Sequence, residues 1–246
     1  MMRKFDYKEL DEEGWETLEA VSIADNFNQY MYDVVSSRLH GSVFEVGSGI
    51  GNISNYFISD NWNIFLSDIR ENYCEVLRER FSNSKSVIGF DVVDLVADDF
   101  SCRYGSHSEA YDSIFALNVV EHIENDGLAL SNCSKMLKKG GVAVVLVPAF
   151  QFLYNRFDKE LYHFRRYDRK SLTKKMSEAG FDVEESFYFN SVGVVGWFVS
   201  GALLRRKTIP KGQMKLYNKI VPLVKLFDKI MKPWLGLSVV CVGKKR

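Results

Sequence analysis

The sequence predicts an α/β protein built on a doubly wound, mostly parallel sheet, and three observations lead there. Short, almost wholly apolar runs recur along the first 150 residues. Helical segments separate them, and a glycine-spaced turn follows the first run. Runs without polar alternation suit strands covered on both faces, the condition of a parallel sheet held between helices.

The elements follow in order. Residues 15–39 have one continuous helical pattern that ends near Gly41. The apolar runs are SVFEV (42–46), NIFLS (63–67), SVIGF (86–90), YDSIFAL (111–117) and GVAVVLV (141–147). Between them, ENYCEVLRERF (71–81) and DGLALSNCSKMLKK (126–139) read as helices, the second stopped by Gly140-Gly141. After Phe150 a polar, aromatic segment (151–170) leads to a helix, SLTKKMSEAG, and a strand, FDVEESFYF (181–189). An uncharged, glycine-spaced run (191–204) and a Lys-rich helical segment (213–232) come next, and LSVVCVG (237–243) is the last strand. No repeat or low-complexity linker divides the 246 residues, so a single domain is expected.

Composition narrows the function classes. A chain that is 46% hydrophobic and 26% charged is ordinary for a globular protein. The start, MMRKFDYKELDEEGW, lacks the apolar stretch of a secretory signal, which argues for the cytoplasm. Cys74, Cys102, Cys133 and Cys241 form no CxxC pair, so neither a redox motif nor a metal site is expected. Net charge is zero, yet residues 1–155 hold 12 basic and 24 acidic side chains and residues 156–246 hold 20 and 8. The basic second part suits an anionic partner or surface.

The turn VFEVGSGIG lies where the first strand hands over to a helix. Gly47, Gly49 and Gly51 allow a tight turn and close approach of a ligand to the backbone around Ser48. Asn52 occupies the place where a dinucleotide fingerprint needs its third glycine, which counts against NAD. Glu45 would repel a pyrophosphate but attract a ligand with an ammonium or sulfonium charge. Asp68, followed by Ile69, ends the second run and can accept from both ribose hydroxyls. Asp91, followed by Val92, ends the third and is placed to accept from an adenine amino group. Three acids at successive strand ends mark the edge where open α/β sheets bind ligands.

VFEVGSGIGNIS, LSDI, FDVVDL and ALNVVEHIEND resemble the successive motifs of class I S-adenosylmethionine (SAM)-dependent methyltransferases. The resemblance covers about residues 26–190 and returns at 237–243. It implies a Rossmann-like seven-stranded sheet with the last strand antiparallel, and SAM as cofactor with S-adenosylhomocysteine as product. By the same resemblance the Gly47–Gly51 turn holds the methionine part, Asp68 the ribose and Asp91 the adenine, with Asn118 beside the sulfonium.

HFRRYDRKSL (163–172) is similar to a loop of methyltransferases that accompany glycosyltransferases. That likeness implies an acceptor hydroxyl on a sugar, lipid-linked glycan or small molecule, faced by His163, Arg165, Arg166 and Tyr167. An alcohol acceptor needs a base near neutral pH, which makes His163 the expected base and His122 the runner-up. The arginines could clamp a phosphate or carboxylate, or simply pair with Asp158 and Glu160. His40 and His107 have no supporting context. An RNA methyltransferase and a non-catalytic SAM-binding protein are the rival readings, although no RNA-binding module is recognisable.

About 45 residues separate Asn190 from Leu237 where the family has a short hairpin, so a helical insertion is expected over 191–236. Its uncharged run of about 14 residues is too short to cross a membrane. Tyr217, Ile220, Val221, Val224, Phe227 and Met231 share one helical face; Lys215, Lys219, Lys225, Lys229 and Lys232 share the other. Such a helix can touch the anionic inner face of a membrane through 191–232, close over the substrate as a lid, or form a homodimer surface. Pro222 is expected to interrupt or start it.

Overall fold

In a computed structural model, residues 12–203 and 210–246 are described. The segment MMRKFDYKELD, on which the expectation about a leader rests, and residues 204–209 of the insertion lie outside them. Two helices come first, α1 (Glu12–Ser22) and α2 (Asp25–Ser36). Then β1 (Val43–Val46), α3 (Ser54–Ser59), β2 (Ile64–Asp68), α4 (Glu71–Phe81), β3 (Val87–Val92), α5 (Phe100–Arg103) and β4 (Tyr111–Leu117) alternate. The alternation continues with α6 (Asp126–Met136), β5 (Leu137–Pro148), the short α7 (Arg156–Glu160), α8 (Arg169–Glu178) and β6 (Phe181–Phe189). The insertion contributes α9 (Gly193–Trp197), a π-helical turn (Phe198–Leu203) and α10 (Lys211–Met231) before β7 (Ser238–Lys245).

All seven strands form one sheet in the order β3-β2-β1-β4-β5-β7-β6. β7 runs antiparallel to both β5 and β6, and the remaining neighbours are parallel. Strands apolar on both faces need two covers, and they have them. On one face Phe44, Ile114, Val145 and Cys241 pack against Leu130 of α6 and Met176 of α8. On the other, Ile64, Phe115, Val144 and Val240 pack against Val35 of α2, Leu77 of α4 and Val221 of α10.

The helix expected over 15–39 is two helices instead. The chain turns at Ala24, whose amide donates to the Val21 carbonyl, and the Asn28 side chain donates to the same carbonyl. A freed carbonyl at the end of α1 is thereby satisfied. The break swings α1 over the end of the sheet, where Leu18 and Val21 line the central cavity.

Pro222 neither starts nor interrupts α10, which runs straight through it. A proline has no amide for the carbonyl four residues earlier, here that of Asn218. The Asn26 side chain on α2 donates to that carbonyl at 3.1 Å, and the Asn218 side chain accepts from the Phe27 amide. A second residue fixes the same junction. Asp228 of α10, buried, accepts from Tyr30 Oη at 3.0 Å, from the amides of Asn190 and Ser191 at 2.7 Å each, and from Ser191 Oγ.

The amphipathic assignment of α10 is half right. Val221 and Val224 are buried against the sheet, with Tyr217 and Ile220 beside them, and Lys215, Lys219 and Lys229 are exposed. Phe227, expected on the packed face, is 55% exposed and joins Leu216, Leu223, Leu226, Ile230 and Trp234 in an apolar stripe open to solvent. Among the described residues, no helix is long and apolar enough to cross a membrane.

Candidate active site

A cavity of about 1050 Å³ opens at the carboxyl ends of β1, β2 and β4, under α1 and the insertion. That is at the upper end of the roughly 300–1,000 Å³ usual for a small-molecule pocket.

Its first half is built on the glycine turn. Gly47 has φ +69°, and a Cβ there would stand 2.4 Å from Val119 Cγ2, so the tight turn requires glycine on two counts. The Gly49 amide donates to Asp68 Oδ2 at 3.0 Å, and the Arg70 amide donates to Oδ1 at 3.0 Å. These bonds lock the carboxylate at the end of β2 against the turn after β1. Burial raises the Asp68 carboxyl, opposed by those two amides. Glu45, Ser48, Ile69 and Asn118 line the same half. Asn118 holds φ +54°, a left-handed conformation asparagine tolerates, and this turns it toward the cavity at the end of β4.

Asp91 and Val92, placed at the adenine end by sequence, do not line the cavity. Asp91 accepts from the Val92 amide and pairs with His107 Nε2 at 3.0 Å, while His107 Nδ1 meets Tyr111 Oη at 2.7 Å. Strand β3 continues through Val92, and only Val93, Asp94, Leu95 and Val96 reach the cavity wall. Of the two acids in FDVVDL, Asp94 lines the cavity and Asp91 does not. Gly51 also lies outside this cavity: at φ +82° it packs against Phe81 of α4.

Glu45 is buried, and that burial pushes its carboxyl up to about 7, against hydrogen bonds from Ser54 and Ser48. Below about pH 4.5 neither the folded nor the unfolded state is ionised at this group. Between there and about pH 7 only the unfolded state releases its proton, so rising pH costs the empty protein stability, of the order of 3 kcal/mol in all. Glu45→Gln should abolish that loss. The ligand-free variant should be little changed at pH 4.5 and more stable than the parent at pH 8, measured by urea denaturation at both values.

The second half of the cavity is assembled from two distant segments. The 163–166 loop is stitched to the turn at 121–124 by backbone: the Phe164 amide donates to the Glu121 carbonyl at 2.8 Å, and Arg165 donates to the carbonyls of Ile123 and Glu124. This brings the His163 and His122 rings edge to face at 4.6 Å. Both line the cavity. Burial lowers His163, opposed by its 2.9 Å bond from Nδ1 to Asp158 Oδ1. His122 faces open cavity space yet is surrounded by protein, and burial holds it well below the ordinary histidine value.

Of the three other residues expected to face the acceptor, Arg166 lines the cavity and Arg165 and Tyr167 do not. Arg165 is spent on Asp126 at 2.8 Å and on two carbonyls, and it does not line the cavity. Tyr167 is in the core, donating to Asp126 Oδ2 at 2.8 Å. Arg166 does reach the cavity wall, but its Nε holds Asp158 at 2.8 Å, its Nη1 holds the Ala149 carbonyl, and Trp197 lies 4.6 Å from the guanidinium. Asp158 thus takes the Arg166 charge, whereas Glu160 pairs with Arg156 instead.

Sequence reasoning passed over Glu121. It is completely buried, lines the cavity, and neither carboxylate oxygen has a hydrogen-bond partner. Burial pushes it up to about 8, with Arg166 opposing. Its position beside His122 in VVEHI was the available signal.

Comparison with known proteins agrees with this arrangement. Residues 44–143 match a methyltransferase domain family. No curated protein matches the sequence. A SAM-dependent methyltransferase from Thermotoga maritima superposes with a TM-score of 0.62 at 16% identity, covering 97% of this chain and 99% of that one. A Haemonchus contortus phosphoethanolamine N-methyltransferase, in complex with phosphomonomethylethanolamine and S-adenosylhomocysteine, gives 0.62 at 13% identity, over 96% of this chain and 59% of that one. The CurJ carbon methyltransferase gives 0.56 at 16%; 85% of this chain is covered, and it spans 49% of the CurJ chain. At such identities likeness speaks for fold alone: the chain has the fold of these methyltransferases, and its residues 44–143 resemble a methyltransferase domain.

Proposed function

We propose that the chain transfers a methyl group from SAM to a hydroxyl held against His122 and His163. The observation that supports this is the two-part cavity, with a cofactor half at the carboxyl ends of β1 and β2 and a histidine pair across from it. The methionine part lies along Gly47–Gly49, where the buried Glu45 gains a cationic neighbour and ionises. The ribose lies against Asp68, the adenine against Val93–Val96, and the sulfonium near Asn118. Methyl transfer is an in-line displacement, so holding donor and acceptor in one enclosure supplies much of the rate.

The acceptor we propose is a sugar or lipid-linked glycan. The apolar stripe of α10, with Lys215, Lys219 and Lys229 around it, favours a lipid-bearing acceptor presented at an anionic surface. Nucleotide sugars and lipid-linked glycans, each incubated with SAM, should be screened for S-adenosylhomocysteine release. Methylation confined to nitrogen or carbon acceptors would replace the hydroxyl assignment. A Leu223→Glu/Phe227→Glu variant should lose co-sedimentation with anionic vesicles while still binding SAM. Equal sedimentation of variant and parent would remove the membrane part.

A further inference from the structure

We propose that Glu121, His122 and His163 form a binding site for one divalent transition-metal ion, on which the acceptor oxygen is held. This rests on the methyl-transfer reading for its role, but not for its existence. One ligand atom from each of the three side chains lies within 4.8 Å of the other two. Two imidazoles and one carboxylate are a donor set that suits zinc, and iron(II) or manganese when the remaining positions stay open.

Two further observations favour an ion over three unrelated side chains. The first is Glu121. A fully buried carboxylate with both oxygens unpartnered is costly to keep, and native proteins satisfy such groups by a cation or a hydrogen bond. Arg166, the nearby cation, makes its hydrogen bonds to Asp158 and Ala149 rather than to Glu121. The second is the support behind His163. Its Nδ1 bonds Asp158 Oδ1, and Asp158 is itself fixed by Arg166 Nε and, through Oδ2, by the Asn155 amide at 2.9 Å. Donation from Nδ1 leaves the lone pair on Nε2, and a carboxylate behind a histidine in this way orients and strengthens it as a metal ligand. The stitching of the 163–166 loop to the 121–124 turn holds the two ligand segments together before any ion arrives.

The chemistry follows from the three side chains lining the same cavity as the glycine turn. A cation lowers the pKa of a hydroxyl bound to it, so the acceptor can lose its proton to water near neutral pH. The oxygen then forms its bond to the methyl carbon as the sulfur–methyl bond breaks, and neutral S-adenosylhomocysteine departs. On this reading the histidines are positioned by their neighbours to hold the ion and are not themselves proton acceptors.

The test uses tag-free, chelator-stripped full-length protein, titrated calorimetrically with Zn²⁺ and, separately, followed by visible absorption with Co²⁺. One ion per chain is expected, with cobalt bands of a nitrogen- and oxygen-ligated site. Glu121→Gln and His122→Ala should each weaken Zn²⁺ binding at least tenfold, and Asp158→Asn should weaken it about 10–100-fold through His163. His122 is exposed to the cavity, so its replacement removes little packing beyond the ring contact with His163; Glu121→Gln replaces the carboxyl with an amide of the same shape. Absence of stoichiometric binding overturns the proposal, as does binding that neither Glu121→Gln nor His122→Ala weakens. SAM titration of the same samples separates the two readings. Protein that takes SAM but no ion refutes the ion site alone, and protein that takes the ion but no SAM refutes the methyl-transfer reading alone.

Discussion

Asp68→Ala should reduce SAM and S-adenosylhomocysteine affinity about 10²–10⁴-fold in calorimetric titration. A carboxylate accepting from two ribose hydroxyls contributes two charge-assisted bonds of about 1.5–3 kcal/mol each, and their sum converts to that range. The loss has a second source. Asp68 also receives the Gly49 and Arg70 amides, so its removal frees the glycine turn that the methionine part must touch. Asp68→Asn separates the two, because it keeps an acceptor of the same shape without the charge, and it should fall between parent and alanine. Circular dichroism checks that each variant is folded. A folded alanine variant that binds SAM within threefold of the parent would remove Asp68 from the cofactor site.

Asp228→Ala should destabilise the protein by about 3–5 kcal/mol. Its carboxylate is the acceptor for two backbone amides and two hydroxyls from two separate segments, α2 and the turn after β6, and alanine leaves those donors buried without a partner at about 1–3 kcal/mol each, partly relieved by relaxation. For a chain of this size the melting temperature should fall by roughly 6–20 °C, read by scanning calorimetry. The same change detaches α10 from the end of β6, so the cavity wall at Asn190 and Tyr217 should loosen with it. Tyr30→Phe, which removes one donor and leaves the carboxylate its other three, should cost much less. A drop below 2 °C for the alanine variant would show that α10 is held by its apolar contacts alone.

The sheet was legible because its signal is redundant. The central strands are mostly apolar on both faces, and β6 begins and ends where the run FDVEESFYF does. The helix after the loop starts at Arg169, two residues before the run SLTKKMSEAG, because Asp168 and Ser171 exchange side-chain bonds with each other's amides and cap it there. Glu45, Gly47–Gly49, Asp68 and Asn118, which chain order places at strand ends, do line one cavity. Asp91 does not, because β3, the half-exposed edge strand, runs on through Val92 and only the residues after it reach the cavity wall. The histidine half was less legible still. Its side chains come together through one backbone bond, from Phe164 to Glu121, and the Arg165 side chain on the Ile123 and Glu124 carbonyls, and such pairing of two irregular loops leaves no periodic trace. Arg165 and Tyr167 were misplaced for a related reason: the acid they meet, Asp126, opens a helix whose pattern says nothing of a loop 40 residues on.

The placement of β7 between β5 and β6 sets the order in which the molecule can be completed during synthesis. β6 pairs with no strand except β7, and about 50 residues of chain, α10 included, must be made between the two. At about 5–20 residues per second, β6 waits roughly 2–10 s on the ribosome as an unsatisfied strand bearing Phe181, Phe187, Tyr188 and Phe189. Such a strand invites pairing with a neighbouring nascent chain. Asp182, Glu184 and Glu185 interrupt it on the side that stays exposed in the finished fold. In the finished fold Glu185 pairs with Arg38 and Asp182 with Arg246, and in the growing polypeptide the same charges keep one copy of β6 from meeting another before β7 arrives.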